Sequence, residues 1–315
     1  MELRRLGASG VSVSVIGFGG YELLGDDSGV ATARAAIEAA IDTGVNWVDT
    51  AEAYSDTGNE RVIGAALEGM REDILISSKV APDKGGLHPK RIHEACRASL
   101  DRLRTDRIDV YFIHWPPDDD DVSLEESWGA MAELVDAGFV RAIGLSNYVM
   151  EDIERAHAIR RVDVVQQGMS LIDHLDERPV VARCGELDIG AVIYEPYGSG
   201  IITSAITAET DPRAMWGDDI VEWDAYERLL GPGRLERCLA VVEPMRAIAE
   251  RLRVPVGHVA VGWVLAQPGV TSAICGSTNA DHIRENSDAA EMKLDDETLE
   301  ELEALIPLGP TFSAT

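Results

Sequence analysis

Short apolar runs alternate along the chain with amphipathic helical patterns, and this alternation limits the fold more than any other feature of the sequence. Each run is short and apolar enough to be a buried parallel strand. The eight runs are Val15–Gly17, Asn46–Val48, Ile74–Ser77, Ile108–Ile113, Ala142–Leu145, Val162–Gln166, Ala191–Tyr194 and Ser272–Cys275. Because eight βα units follow one another without a break in composition, the pattern predicts an α/β fold of the closed (β/α)8, or TIM barrel, type. Residues 1–315 are expected to form a single domain.

The segments between these runs have helical periodicity, which predicts the outer layer of the barrel. The predicted helices are Val30–Thr43, Gly58–Leu67, Pro89–Arg104, Leu124–Ala137, Met150–Ile159, Leu235–Leu252, Val256–Leu265 and Ala280–Ala289. The N-terminal LRRLGASGVSVSVIG has two short alternating runs around a Gly-rich turn, which predicts an N-terminal β-hairpin below the barrel. The long loop after strand 7, from about Gly198 to Pro232, is either a cover over cofactor or substrate or a flexible insertion.

The charge of the chain excludes several classes of partner. It has 56 acidic and 28 basic residues, a net charge of −28. Such a surface repels nucleic acid and anionic membrane, so we expect neither as a partner. A high-salt habitat and a high-GC coding bias both produce this acidity. No metal site is predicted, because the four adjacent aspartates 118–121 lack the alternate spacing and glycine of a calcium loop, which favours a solvated loop.

The remaining composition predicts a cytoplasmic protein. The start of the chain lacks the apolar stretch of a signal peptide, and no segment approaches the ~20 apolar residues of a membrane span. The four cysteines are scattered without CxxC spacing, which favours reduced thiols over disulfides or zinc: Cys96, Cys184, Cys238 and Cys275.

Four polar residues lie at or just beyond the ends of three successive predicted strands. Asp49 and Tyr54 occur in WVDTAEAY, Lys79 in LISSKV and His114 in DVYFIHWPP. In a parallel barrel these ends form the rim where active sites are built. Each residue alone has an ordinary structural explanation, but four chemically matched groups after the second, third and fourth strands indicate a catalytic site.

The four side chains suit proton transfer to or from a carbonyl oxygen. A free tyrosine has a pKa near 10, too high for proton exchange at neutral pH, and a nearby ammonium favours the phenolate. We therefore expect Lys79 to lower the pKa of Tyr54, while Asp49 keeps the lysine charged and in place. His114 is expected to share the proton or to orient the carbonyl through a ring nitrogen.

The order and surroundings of these residues resemble the aldo-keto reductase superfamily over nearly the whole chain. In DTAEAY, the aspartate and the tyrosine five residues later resemble the family's carboxylate and catalytic acid, and GNERVIGAAL resembles the helix that follows. Lys79 and His114 resemble the lysine and histidine of the family's catalytic tetrad. The resemblance implies a (β/α)8 barrel and an NAD(P)(H)-dependent oxidoreductase that reduces aldehydes or ketones, or oxidises the matching alcohols.

No GxGxxG follows the first strand, so a Rossmann dinucleotide site is not indicated. The resemblance instead implies a nicotinamide dinucleotide that lies across the barrel mouth. Ser146, Asn147 and Gln167 resemble the residues that hold the carboxamide, and Tyr194 resembles the aromatic residue that stacks on the nicotinamide. Glycines 198 and 200 permit close backbone approach to the pyrophosphate. Glu285 and Asn286 resemble the family's pair at the adenine. The other expected cofactor-binding residues are Gly19, Pro196, Tyr197, Gly198, Ser199, Gly200, Gly276, Ser277, Thr278 and His282.

One departure from the family pattern concerns the 2′-phosphate of NADP(H). The family usually places a lysine or arginine at the positions of Gly276, Thr278 or His282, and this chain has none there. A phosphate normally requires such a cation, so we expect NADH to be used comparably with NADPH or preferred, unless Arg284 supplies the charge. The segment Gly276–Thr278 is expected at the start of the last helix, as a phosphate-binding N-terminus.

The substrate is expected to be a small carbonyl or alcohol compound held between aromatic side chains. Tyr21, Trp115 and either Trp216 or Trp223 are the candidates for these walls. Two other functions compete with the carbonyl reductase. One is an NAD-dependent sugar or polyol dehydrogenase, and the other is a dinucleotide-binding regulatory subunit without turnover.

Overall fold

The computed structural model describes residues 1–117, 122–174, 176–217 and 226–306, with the side chains of Trp216, Tyr226 and Glu227 left aside. The strands of this described part are β1 Leu3–Arg5, β2 Ser12–Ser14, β3 Ile16–Gly19, β4 Trp47–Asp49, β5 Leu75–Val80, β6 Ile108–Ile113, β7 Val140–Ser146, β8 Val164–Gly168, β9 Gly190–Tyr194 and β10 Val270–Gly276. Strands β3 to β10 close into a barrel in sequence order, with β10 beside β3 and every pairing parallel. The predicted TIM barrel is confirmed.

Every predicted barrel strand is present, and most strand ends differ by one to three residues. The largest difference is in β5, which was predicted to end at Ser77 and continues to Val80. Lys79 is polar and so ended the apolar pattern, yet it pairs with Phe112 and the ladder continues through it. Lys79 therefore lies inside a strand, in a backbone that is hydrogen-bonded on both sides.

Helices surround the barrel: α1 Gly29–Asp42, α2 Gly58–Ala66, α3 Pro89–Leu103, α4 Leu124–Asp136, α5 Met150–Ile159, α6 Glu177–Glu186, α7 Pro212–Trp216, α8 Arg234–Leu252, α9 Val256–Ala266, α10 Ala280–Asp288 and α11 Asp296–Leu305. The predicted helices are present within two residues at each end, whereas α6, α7 and α11 were not predicted. Helix α11 fully buries only Thr298 and Leu302, while Leu299 and Leu305 are partly buried against the core. Its start is fixed by Asp295, whose side chain accepts a hydrogen bond from the backbone N–H of Thr298 at 2.9 Å.

Side chains alternate between the lumen of the barrel and the helical layer, as the strand period requires. The lumen holds its own apolar cluster, which includes Trp47, Val110 and Phe112. Gly17 makes room for the indole of Trp47, because a Cβ there would lie 2.3 Å from the ring. The lumen is therefore a packed core, and space for a ligand is left at its rim.

The predicted N-terminal hairpin is confirmed. Strands β1 and β2 pair antiparallel, with Leu3 opposite Ser14. Leu6, Val11 and Val13 of this hairpin join the lumen cluster and are almost fully buried. Because these residues lie at the amino ends of the barrel strands, the hairpin closes the bottom and leaves the carboxyl-end rim open.

Candidate functional site

The rim of the barrel brings the four predicted catalytic residues together. Asp49 ends β4, Lys79 lies in β5 and His114 directly follows β6. In the ladder Asp49 pairs with Ser77, and the N–H of His114 donates to the carbonyl oxygen of Val80 at 2.9 Å. Tyr54 lies in the loop between β4 and α2. Neighbouring parallel strands thus place the four side chains at one edge.

The buried ammonium of Lys79 is at the centre of the site. Its Nζ donates to Asp49 Oδ2 at 2.6 Å, to the carbonyl oxygen of Thr50 at 2.8 Å and to the phenolic oxygen of Tyr54 at 3.2 Å. These three acceptors account for its three N–H groups. Since the phenolic oxygen accepts from the ammonium, its own proton is left for another acceptor.

Asp49 is held by two further residues that the sequence analysis missed. Its Oδ1 accepts from Ser77 Oγ at 2.6 Å and from Gln166 Nε2 at 3.0 Å. Strand alternation could have identified Ser77, which is two residues before Lys79 and therefore on the same face of β5. With every oxygen engaged, the carboxylate has a fixed orientation towards the ammonium.

Gln166, rather than the predicted Gln167, faces the barrel mouth. Gln167 donates from Nε2 to the carbonyl oxygen of Tyr148 at 2.8 Å. In β8, Val164 belongs to the lumen cluster and Val165 to the outer core, so Gln166 points inward and Gln167 outward. Gln166 is therefore the glutamine of β8 that faces the mouth, and the predicted Gln167 does not.

Burial raises the pKa of the Tyr54 phenol well above its ordinary value of 10, and the negative charge of Asp49 adds to this. The expectation that the pKa of Tyr54 lies below its ordinary value is wrong, because removing the phenolate from water outweighs the favourable effect of the nearby ammonium. Burial also lowers the pKa of Lys79, although Asp49 opposes the change. Tyr54 is thus protonated at neutral pH.

His114 is uncharged at neutral pH. Burial, followed by the charge of Lys79, lowers its pKa from 6.5 to about 3. Its ring lies edge-on to that of Tyr54, with 5.6 Å between ring centroids. The buried Nδ1 has no hydrogen-bond partner among the described residues. The histidine can therefore act at the mouth only as a neutral hydrogen-bonding group.

The predicted carboxamide-binding residues meet beside His114. Asn147 donates from Nδ2 to the carbonyl oxygen of His114 at 3.0 Å and to Ser146 Oγ at 3.1 Å. Its Oδ1 accepts from the hydroxyl of Tyr194 at 2.8 Å. A left-handed backbone at Asn147, with φ of 66°, turns the amide back towards β9. On the other side of the mouth, Gly19 pairs with Gly276 in the ladder.

The loop after β9 has the backbone geometry of an anion site. Gly198, Ser199 and Gly200 have φ values of 54°, 52° and 83°. Within the described chain, the N–H groups of Ser199 and Gly200 donate to no protein acceptor. Successive N–H groups in such a turn form a concavity that binds phosphate. Pro196 and Tyr197 begin this loop, and the Tyr197 hydroxyl donates to Asn286 Oδ1 at 2.8 Å, which links the loop to α10. These residues fit a dinucleotide pyrophosphate.

The predicted phosphate-binding segment after β10 differs from expectation in two respects. Helix α10 begins at Ala280 with Asn279 as its cap, so Gly276 ends β10 and Ser277 and Thr278 form a loop ahead of the helix. Nor is α10 the last helix, since α11 follows it. The loop contacts α10 through Ser277, whose Oγ lies 3.4 Å from Nδ1 of His282.

The charged residues of α10 are exposed. Arg284 pairs with Asp281 on the same helix, at 3.0 Å, and is the cation that the sequence analysis considered for the 2′-phosphate. The main-chain oxygen of Glu285 lies 2.9 Å from His258 Nε2. An exposed pair of this kind contributes little energy, so Asp281 does not prevent Arg284 from moving.

Two of the three predicted substrate residues lie against the tetrad. Tyr21 packs edge-on against Tyr54 at 5.0 Å, and Trp115 stacks on His114 at 6.0 Å. Both are largely exposed, at 59% and 47%. Trp216 ends α7, and its side chain is outside the described part, as are Trp223 and the aspartates 118–121.

The described residues show no grouping typical of a metal centre and no membrane-spanning helix. No three His, Cys, Asp or Glu side chains there are grouped as a metal site requires. No helix in that part is both long enough and apolar enough to cross a membrane. All four cysteines are buried and free.

Comparisons with known proteins agree with this geometry. The model of the aldo/keto reductase family matches residues 15–307. The aldo-keto reductase YhdN of Bacillus subtilis is 30% identical, over 100% of this chain and 98% of that protein. A glycerol dehydrogenase structure from Gluconobacter oxydans is 25% identical with a TM-score of 0.82, over 99% of this chain and 98% of that one. An aldo-keto reductase from Klebsiella pneumoniae, solved with NADPH, is 26% identical with a TM-score of 0.76 over the full length of both chains. Since the family match covers far more than half of the sequence, the chain belongs to the aldo/keto reductase family and is an NAD(P)H-dependent oxidoreductase that acts on carbonyl groups.

Proposed function

We propose that this protein reduces aldehydes and ketones to alcohols, with Tyr54 as the proton donor. The observation that carries the proposal is the buried contact between Lys79 Nζ and the Tyr54 hydroxyl, at 3.2 Å. Lys79 fixes the phenolic oxygen as an acceptor, so the phenolic proton faces the mouth of the barrel. A carbonyl oxygen placed there would receive it.

The nicotinamide, when bound, supplies the hydride to the carbonyl carbon. The developing negative charge on the carbonyl oxygen is then neutralised by the proton of Tyr54, and the alcohol forms. The neutral His114 donates a hydrogen bond to the same oxygen from Nε2, because its buried Nδ1 has no acceptor for a proton. Lys79 stabilises the phenolate that remains until a proton returns from solvent.

The protonation state of Tyr54 favours reduction at neutral pH. Its pKa lies well above 10, so the acid form needed for reduction is fully populated. Alcohol oxidation requires the phenolate and is therefore expected to gain rate as the pH rises. This argument favours the reductase over a dehydrogenase that works in the oxidative direction.

We propose that the cofactor is NADH or NADPH with little discrimination. Ser146, Asn147 and Gln166 would hold the carboxamide, and Tyr194 would stack on the nicotinamide. Tyr197–Gly200 would hold the pyrophosphate. Arg284 is the only cation of the segment 276–286, and it is exposed and paired with Asp281. A 2′-phosphate would therefore gain less here than at a site with a dedicated cation.

The rim favours a substrate with an apolar or aromatic body. Five of the large apolar side chains that are exposed lie at the rim, four in loops and Met215 in the short helix α7: Tyr21, Leu24, Trp115, Val149 and Met215. Burying them against a ligand removes apolar surface from water, at about 25 cal/mol per Å². A sugar or glycerol would cover the same surface with hydroxyl groups and gain less.

A polyol dehydrogenase is the second candidate, supported by the similarity to the Gluconobacter oxydans glycerol dehydrogenase. The two candidates predict opposite substrate orders. The reductase should prefer aromatic and long-chain aldehydes, and the dehydrogenase should prefer glycerol and sugar alcohols at alkaline pH. A regulatory subunit would bind dinucleotide without turning over either.

The test is a fluorescence titration with NADH and NADPH, followed by assays on both substrate panels. We expect dissociation constants for the two cofactors within about tenfold of each other, and kcat/KM highest for apolar aldehydes. A preference for glycerol would support the dehydrogenase. Binding without turnover of any carbonyl compound would support the regulatory role, and binding of neither cofactor would overturn the proposal.

A further inference from the structure

The loop that carries Tyr54 has a strained backbone. Ser55, Asp56 and Thr57 follow the tyrosine directly and have φ values of 49°, 47° and 71°. Side chains with a Cβ rarely adopt this left-handed conformation, and three in a row persist only when contacts elsewhere hold the chain. Helix α2 begins immediately after them at Gly58. The position of the phenol therefore depends on what anchors residues 50–57.

Glu52 is the buried anchor of this loop. Its backbone N–H donates to the carbonyl oxygen of Lys79 at 3.2 Å, which continues the pairing with β5. The residue is only 3% exposed, and its carboxylate accepts from the backbone N–H of Ala81 at 2.8 Å. Glu52 therefore ties the loop that carries Tyr54 to the strand that carries Lys79.

Arg91 of α3 fixes the Glu52 carboxylate. Its Nη2 lies 2.9 Å from both carboxylate oxygens, and its Nε donates to the carbonyl oxygen of Lys84 at 3.0 Å. The guanidinium is thus itself held by the loop after β5. A charge-assisted contact of this kind, in a buried place, is strong and directional.

A second ion pair continues the network. Glu60 is fully buried, accepts from Arg102 Nε at 2.6 Å and accepts from Ser78 Oγ at 2.5 Å. Arg102 also lies 4.0 Å from Glu52. Ser78 and Lys79 are adjacent in β5 and face opposite sides, so the network lies behind the strand and the tetrad in front of it.

We propose that Glu52, held by Arg91, is a positioning residue that keeps the Tyr54 phenol within hydrogen-bond distance of Lys79. The proposal rests on the function proposed above. Without the Glu52–Arg91 pair, the loop relaxes towards less strained dihedral angles and the phenol moves away from the ammonium. Misplacement of a reacting group by about 1 Å can cost about a hundredfold in rate.

The test is Glu52→Gln, which keeps an acceptor for Ala81 but removes the charge that holds Arg91. We expect kcat to fall about 10- to 100-fold, with KM and the affinity for NADH within about threefold of wild type. The phenol farther from Lys79 should have a higher pKa, so the pH profile of alcohol oxidation should shift to higher pH. The Arg91→Gln variant should match it, and the double variant should lose no more than either single one.

The matched control is Asp109→Asn at the other end of β6. Asp109 is also a buried carboxylate, and it accepts from the side chains of Arg71 and Arg141 and from the backbone N–H of Ile76. The Asp109→Asn variant should be less stable than wild type but keep the same kcat per folded molecule. If Glu52→Gln behaves like this control, with unchanged kcat and pH profile, the proposal is overturned.

Additional variants distinguish a folding defect from the loss of positioning, and failure of the positioning role from failure of the proposed function. If Glu52→Gln does not fold, Arg91→Gln replaces it, because the Arg91 side chain is partly exposed at 21% and can be shortened at the surface. Normal turnover by Tyr54→Phe would reject the proposed function itself, whereas an inactive Tyr54→Phe beside a fully active Glu52→Gln rejects only the positioning role.

Discussion

Two buried carboxylates at opposite ends of the barrel have different surroundings. Asp109, near the bottom, pairs with Arg71 at 2.9 Å and Arg141 at 3.0 Å and accepts from the N–H of Ile76. Asp49, at the rim, pairs with Lys79 at 2.6 Å, and that ammonium reaches on to Tyr54. The network of Asp109 leads to backbone carbonyl groups and a threonine through Arg71, while that of Asp49 leads to the phenol of Tyr54.

The difference teaches how one barrel separates stability from chemistry. At the bottom, the hairpin residues Leu6, Val11 and Val13 fill the lumen. At the rim, His114 keeps a buried Nδ1 without a partner among the described residues, and the pKa values of Tyr54 and His114 are shifted in directions that burial dictates. Such groups also occur in the outer core, where the hydroxyl of Tyr111 is buried without a partner among the described residues, so what distinguishes the rim is the contact between Tyr54 and Lys79.

The largest expected effect is that of Tyr54→Phe. Removal of the phenolic proton should lower kcat by about a thousandfold or more, the range of general acid catalysis. NADH affinity, measured by fluorescence titration, should stay within about twofold. The matched control is Tyr111→Phe, since Tyr111 is fully buried in β6 and faces the helical layer. Equal losses in the two variants would contradict the separation between rim and core.

The next effect is on stability at the bottom. Asp109→Asn leaves Arg71 and Arg141 without their carboxylate, and we expect a loss of about 3 kcal/mol in the free energy of unfolding. Urea denaturation measures this, and kcat of the folded fraction should not change. A large fall in kcat would mean that the two ends of the barrel are coupled.

The pH dependence of stability should report on His114. Its pKa is about 3 in the folded protein against 6.5 unfolded, so the unfolded chain takes up the proton first as the pH falls. The free energy of unfolding should therefore decrease below pH 6.5, by about 2–3 kcal/mol at pH 4.5. Urea denaturation at pH 6.5 and pH 4.5 measures this decrease. In His114→Asn the decrease should be smaller by about 2–3 kcal/mol. Parallel curves for the two proteins would contradict the burial of a neutral imidazole.

The smallest effect concerns the cofactor. Thr278→Arg adds a cation to the exposed loop before α10, and we expect NADPH to bind about tenfold tighter relative to NADH. The ratio of the two dissociation constants at low and high salt measures this. An unchanged ratio would mean that the 2′-phosphate lies elsewhere, and Arg284→Gln would then identify whether Arg284 holds it.

The sequence predicted the barrel because its eight strands are buried on both faces and so appear as uninterrupted apolar runs. It was less successful where polar residues belong to strands. The predicted third strand ended at Ser77, two residues before Lys79, yet β5 continues through Lys79 to Val80. Gln167 was chosen over Gln166 because no apolar pattern distinguishes two adjacent glutamines. Helices α6 and α11 were also missed, although α11 has leucines at positions 299, 302 and 305, a spacing that helical periodicity could have identified.

What the sequence by itself determined is the alternation of strands and helices and the identity of the four groups at the rim. Both follow from local spacing, which a linear chain records. The tertiary structure decided which glutamine faces Asp49, that burial raises the pKa of Tyr54 where a neighbouring ammonium alone would lower it, and that Glu52 and Arg91 hold the loop. These depend on desolvation and on contacts between distant segments, which exist only when the barrel has closed.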